Sequence, residues 1–131
     1  MKKERSSRPK LPKVSEEMKA WSAAIGREVA GWPIVSTRSF FGFTAFYRTD
    51  NIFALLPGTR GMDTANSMVF KLESPTPALR GRLDQDSRVT STHMGKAHWF
   101  TFELSSVADL HGALDWLGRA YEAAWKKRKS E

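Results

Sequence analysis

The sequence predicts an α+β fold: a two-layer sandwich, an antiparallel sheet with the N- and C-terminal helices packed on one face. Three observations predict it. An apolar stripe at helical spacing stands near each end of the chain. The residues between are rich in β-branched and aromatic types, with period-two alternation in the clearest stretches. The links between those stretches are short, which favours antiparallel pairing. With 131 residues and 14.8 kDa the chain is the size of one domain. Folding buries roughly 14,000 Å², about 68% of the unfolded surface, enough for a real core.

The first helix starts at Ser15, a good cap, with Glu16 and Glu17 near the positive end of the dipole. Met18, Trp21, Ile25 and Val29 form its apolar stripe. Gly31 ends it and Pro33 prevents a restart. Arg38–Tyr47 and Ile52–Leu56 read as a hairpin about Thr49-Asp50-Asn51, with Gly42 at a bulge or close backbone approach. Ser67–Leu72 is a strand with Met68, Phe70 and Leu72 on one face and Val69 and Lys71 on the other. A short helix follows over residues 76–84, started by Pro75 and Pro77. A short strand spans Arg88–Thr92, and Ala97–Leu104 alternates cleanly, with His98, Phe100, Phe102 and Leu104 on its apolar face. The sheet thus holds four or five strands. The last helix is capped by Ser106, with Asp109 completing a capping box. Val107, Leu110, Leu114, Leu117, Tyr121 and Ala124 form its expected buried stripe.

The charge is concentrated. Lys and Arg total 21 against 14 Asp and Glu, a net +7, with a pI near 10. Residues 1–13 hold Lys2, Lys3, Arg5, Arg8, Lys10 and Lys13 against Glu4; residues 126–131 hold Lys126, Lys127, Arg128 and Lys129 against Glu131. The other 112 residues are net −1. The organisation that follows is a flexible basic arm over 1–13, one α+β domain over 14–125 and a basic tail over 126–131. Basic ends of this kind bind nucleic acid or anionic surfaces. They also solubilise, and the C-terminal set suits its helix dipole. Neither a secretory signal nor a span of 18 apolar residues is present, so the expected location is cytoplasmic, away from membranes.

No enzymatic site assembles from the sequence. Zero cysteines exclude disulfides, thiolate zinc sites and thiol nucleophiles. Asp84, Asp86, His93 and His98 follow neither a calcium-loop nor a zinc-protease pattern, and the aspartates read as turn and helix-end residues. His111 has no Gly-x-Ser-x-Gly elbow to serve. The loop Gly58-Thr59-Arg60-Gly61 offers backbone N–H groups to a phosphate but lacks a P-loop ending. No cofactor or metal is expected.

The binding candidates are a set of cations around one ring. If Phe100 and Phe102 face the helices, Trp99 faces the opposite side of the sheet, as does Lys71. Arg38 and Arg48 share parity with Thr44 and are expected to join them, with Lys96 beside Trp99. Cations neutralise phosphates and rings stack bases, at about 1–3 kcal/mol per base. Lys10, Lys13, Lys126, Lys127 and Arg128 would add sequence-blind phosphate contacts. The plainer reading is a solvated sheet face.

Phe70-Lys71-Leu72, Pro77 with Leu79 to Leu83, Lys96-Ala97-His98-Trp99 and the closing Ala120-Tyr121-Glu122 resemble the MmcQ/YjbR family. The run from Arg38 through Phe46 is similar to the signature of TfoX N-terminal-like domains, with Phe40 in place of the usual Met and Phe43 in place of a Gly. The resemblance implies a frataxin-like (CyaY-like) sandwich. It also implies a DNA-binding role without catalysis. An iron role would need an acidic ridge, and the first helix offers only Glu16, Glu17 and Glu28. The alternative is a protein-interaction or small-ligand-binding module of the same fold.

Overall fold

The computed structural model describes residues 13–59, 64–73, 75–91 and 98–128. The elements run α1 (Glu16–Ala30), β1 (Val35–Phe40), β2 (Phe43–Arg48), β3 (Asn51–Pro57), β4 (Ser67–Lys71), α2 (Pro77–Gln85), β5 (Val89–Ser91), β6 (Trp99–Glu103) and α3 (Asp109–Arg128). The strands form one antiparallel sheet of order β1-β2-β3-β4-β6-β5. β1 to β4 form a meander; β6 returns beside β4, and β5 takes the far edge. The expected two-layer α+β architecture is therefore present, with α1 and α3 in contact over the sheet.

Local chemistry sets the boundaries. Ser15 Oγ accepts from the Met18 N–H at 3.0 Å, and Gly31 ends α1. Thr76 caps α2 by accepting from the Leu79 N–H, with Pro77 at the first turn. At α3, Asp109 Oδ2 accepts from the N–H groups of Ser105 and Ser106 at 2.7 and 3.3 Å. That is the return half of the capping box, and it satisfies donors left free at a helix start.

Two expectations are corrected here. Residues 35–47 form two strands, because Phe41 and Gly42 take φ of 49° and 86° and reverse the chain in a two-residue hairpin. Among the described residues the strands therefore number six. The buried stripe of α3 runs through Ala113, Trp116, Leu117, Ala120 and Ala124, whereas Val107 is 67% exposed. Alanine at 113, 120 and 124 lets the helix approach the sheet closely, and Val107 precedes the helix and so lies off its stripe. As the dipole argument expects, Lys126, Lys127 and Arg128 lie at the C-terminal end of α3, which continues to Arg128.

The main core lies between helices and sheet. Met18, Ile25 and Val29 of α1 and Ala113, Leu117 and Ala120 of α3 meet Phe46, Ala54, Leu56, Met68, Phe70 and Phe102. A bulge opposite Phe46 and Tyr47 puts both Phe53 and Ala54 into this core and sends Ile52 to the other face. It explains why Ile52–Leu56 reads as a continuous apolar run. Among the described residues, no helix is long and apolar enough to cross a membrane.

Candidate nucleic-acid interface

The face of the sheet turned away from α1 and α3 carries its own apolar floor. Phe43, Ala45, Leu55 and Val69 are buried there, with Tyr47, Ile52 and Trp99 packed half-buried against them. The pairing register sets Arg38 opposite Ala45, Leu55 opposite Val69, and Lys71 opposite Trp99. Residues directly opposite in an antiparallel pair share a face. Arg38, Lys71 and Trp99 therefore stand on this face; strand parity accounts for Lys71 and Trp99, whereas Arg38 lies opposite Ala45, on the other side from the Thr44 with which its parity was matched.

Each cation sits on a ring. The Arg38 guanidinium lies 4.8 Å from the centre of the Tyr47 ring, and the Lys71 ammonium 5.8 Å from that of Trp99. Both distances lie within the range of cation–π attraction. Lys71 also has Glu73 at 3.9 Å, a partner that offsets part of its charge. β1 and β4 are three strand spacings apart, so the two cation–ring pairs are separated by about 14 Å across the sheet.

Arg48 does not join them. The hairpin at Phe41-Gly42 pairs even-numbered β1 residues with odd-numbered β2 residues, so Arg38 and Arg48 face opposite sides. Arg48 lies under α3. Its guanidinium is 4.0 Å from the centre of the Tyr121 ring, Nη1 donates to the Tyr121 carbonyl at 2.9 Å, and Glu122 is 3.9 Å away. Asn51 Nδ2 donates to the Ala124 carbonyl beside it. Arg48 is an anchor for the last helix.

The remaining candidates divide by position. Lys13 is exposed at the base of the N-terminal segment, where Val14 N–H donates to the Thr59 carbonyl. Lys126, Lys127 and Arg128 belong to the last turn of α3. Lys10 and Lys96 lie outside the described residues. The glycine loop is no phosphate cradle at its first two positions: Gly58 and Thr59 N–H both donate to the Gly42 carbonyl, at 2.8 and 2.9 Å. Its close approach is tight enough that a Cβ on Gly58 would come within 2.9 Å of that oxygen.

Sequence reasoning missed one charged cluster. Arg88 Nε and Nη2 donate to the two oxygens of Asp86 at 2.9 and 3.1 Å, and Nη1 donates to Asp109 at 2.9 Å. Trp116 Nε1 donates to Asp86 Oδ2 at 2.9 Å. Arg88 beside it, more than burial opposes, holds the Asp86 carboxyl at about 2. Asp109 is also held below the usual carboxylate range, first by the Ser105 N–H and then by Arg88. Both carboxylates raise Arg88 further above its ordinary value. These hydrogen bonds tie the end of α2, the start of β5 and the start of α3 together. Aspartates spaced 23 apart gave no local signal of it. Asp86 does act as the turn residue the sequence suggested, accepting from the Arg88 N–H at 3.0 Å. Among the described residues, no group of three His, Asp or Glu side chains is placed to hold a metal ion.

The chain matches no family model, no curated protein and no solved structure.

Proposed function

We propose that this chain is a non-enzymatic nucleic-acid-binding domain that uses the helix-free face of its sheet. The observation that carries the reading is the pair of cation–ring units, Arg38 on Tyr47 and Lys71 on Trp99, set over an apolar floor. Rings present π-faces for bases, and adjacent cations meet phosphates, the combination that strand-based platforms use. The basic segments at both ends would add affinity without sequence preference. The resemblance of Phe70-Lys71-Leu72 and of Lys96-Ala97-His98-Trp99 to MmcQ/YjbR proteins, which are commonly described as DNA-binding, supports the same reading.

Fluorescence anisotropy with labelled single- and double-stranded oligonucleotides tests it. If about six phosphates are neutralised, affinity falls roughly a thousandfold between about 50 and about 200 mM salt. Arg38→Gln should weaken binding at every salt concentration. No binding at micromolar protein, or binding indifferent to salt and to Arg38→Gln, would overturn the proposal.

One observation favours the alternative of a protein-interaction module. Ile34 and Phe41, 57% and 85% exposed, are large apolar side chains that nucleic acid has little use for.

A further inference from the structure

β1 is one of the two outer strands of the sheet, and its two ends are unusual in the same two ways. Ile34 and Phe41, the residues that bracket it, both have positive φ, 51° and 49°. Both are also large apolar side chains open to solvent. The left-handed region disfavours β-branched and bulky residues, and the first position of a two-residue hairpin loop ordinarily holds Asn, Asp or Gly. Turn geometry does not call for isoleucine or phenylalanine at these positions. Backbone strain of this kind, where observed, points to function.

Among the described residues, the strand between them pairs with no other strand on its outer side. Ser36, Thr37, Arg38 and Ser39 are all exposed, and the strand holds no proline, no lysine and one charge. That charge is drawn toward β2, where Arg38 covers Tyr47. Thr49 N–H donates to the Ile34 carbonyl. By the alternation of an antiparallel ladder, Ser36 and Arg38 also turn their backbone groups toward β2, and Thr37 and Ser39 turn theirs outward. Proteins normally blunt such an edge.

We infer that β1, with Ile34 and Phe41 at its ends, is an edge-to-edge docking strand for a second copy of this chain. A twofold axis perpendicular to the sheet at Thr37 satisfies three requirements together. Opposed residues share a face, since Ser36 meets Arg38 of the partner and Val35 meets Ser39. The outward backbone groups of Thr37 meet those of the partner's Thr37. The two Arg38 side chains are not opposed, whereas an axis at Arg38 would place like charges face to face. The same register brings Phe41 of one copy within one residue of Ile34 of the other, covering both apolar side chains. The product is a twelve-stranded sheet from two six-stranded ones, with the nucleic-acid face left open. This dimer is independent of that reading. A six-residue edge buries less than a standard interface, so association is weak and concentration-dependent.

Sedimentation equilibrium of the full chain, from low micromolar to sub-millimolar protein in moderate salt, tests the dimer. The expected mass rises from 14.8 kDa toward twice that value. Thr37→Pro removes an outward N–H and no inward one, and Phe41→Asn removes the apolar tip; both should shift the midpoint at least tenfold upward without lowering the melting temperature. The chain has no cysteine, so Thr37→Cys and Ser39→Cys are clean probes. Under mild oxidation Thr37→Cys should cross-link to a dimer, its two Cα atoms being about 5.5 Å apart in a hydrogen-bonded pair, within disulfide reach. Ser39→Cys should not, because the register holds the two copies four residues apart. A monomer at every concentration, or equal cross-linking by the two variants, would overturn the proposal and leave the edge to a foreign extended segment or to none.

Discussion

Arg88 grips both oxygens of Asp86, at 2.9 and 3.1 Å, from only two residues along the chain. The short loop between them holds the fork in place: Asp86 Oδ1 also accepts from the Arg88 N–H, and the Asp86 N–H closes the end of α2 on the Arg82 carbonyl. The third guanidinium nitrogen reaches Asp109 at the start of α3. One side chain thus fixes where α2 ends, where β5 begins and how α3 enters the fold.

Removing that side chain should cost more than removing a surface ion pair. Arg88→Ala leaves Asp86 and Asp109, 15% and 16% exposed, without their common partner. The expected loss is about 2–4 kcal/mol, a fall in melting temperature on the order of 10 °C. Arg88→Lys keeps a charge but loses the planar fork, and should recover about half. Thermal melts followed by circular dichroism measure both. A fall no larger than that of an exposed pair such as Lys19→Ala would show that the cluster is not a tie.

The same pair makes stability depend on acid. The Asp86 carboxyl sits at about 2 in the folded chain against 3.8 unfolded. A lowered carboxylate stabilises the fold above its unfolded value and loses that contribution as pH falls through the folded one. Stability should therefore hold above about pH 5 and drop by about 2 kcal/mol between pH 4 and pH 2, with Asp109 adding in the same direction. Urea midpoints across that range measure it. Asp86→Asn, though less stable at neutral pH, should show a shallower decline.

What was legible in the sequence was whatever repeats locally. Met18, Ile25 and Val29 mark one face of α1, and Phe100, Phe102 and Leu104, two residues apart, mark the inner face of β6 and its end, so helices, strand parity and layering follow. The same parity placed Lys71 and Trp99 on one face, and the register agrees. Arg48 failed because parity carries through a strand but not through a turn. With Phe at position 41 the two-residue hairpin lacks its usual Asn-Gly or Asp-Gly marking, and an unseen reversal resets which residues share a face. Phe53 was hidden by its bulge in a similar way. The Arg88 cluster joins residues 86, 88, 109 and 116, and such long-range partners leave no periodic trace.

Arg38 and Arg48, alike in the sequence, should behave as opposites. Arg48→Met loses the Tyr121 ring contact and the hydrogen bond to its carbonyl, with a cost of about 1–2 kcal/mol. Its effect on nucleic-acid affinity should be small, since it faces α3. Arg38→Gln, at an exposed edge, should change stability by no more than about 0.5 kcal/mol and weaken nucleic-acid binding several-fold. Melting and anisotropy on both variants separate the roles. Equal effects on binding would show that bulk charge, and not the helix-free face, sets the affinity.

Two glycines inside α3 make the final comparison. Gly118→Ala puts a methyl where no atom lies within 4 Å, in a helix interior that favours alanine by roughly 0.8–1 kcal/mol. It should raise the melting temperature by a few degrees. Gly112→Ala gains the same helix propensity, but its Cβ would come within 2.9 Å of both terminal nitrogens of Arg88. An arginine free to swing would yield cheaply. This one is pinned by Asp86 and Asp109, so yielding breaks the charged hydrogen bonds described above. A loss of about 2 kcal/mol there outweighs the propensity gain, and Gly112→Ala should destabilise by about 1 kcal/mol net. Combining it with Arg88→Ala should reverse the sign, because the obstacle and the network it disturbs are then both gone.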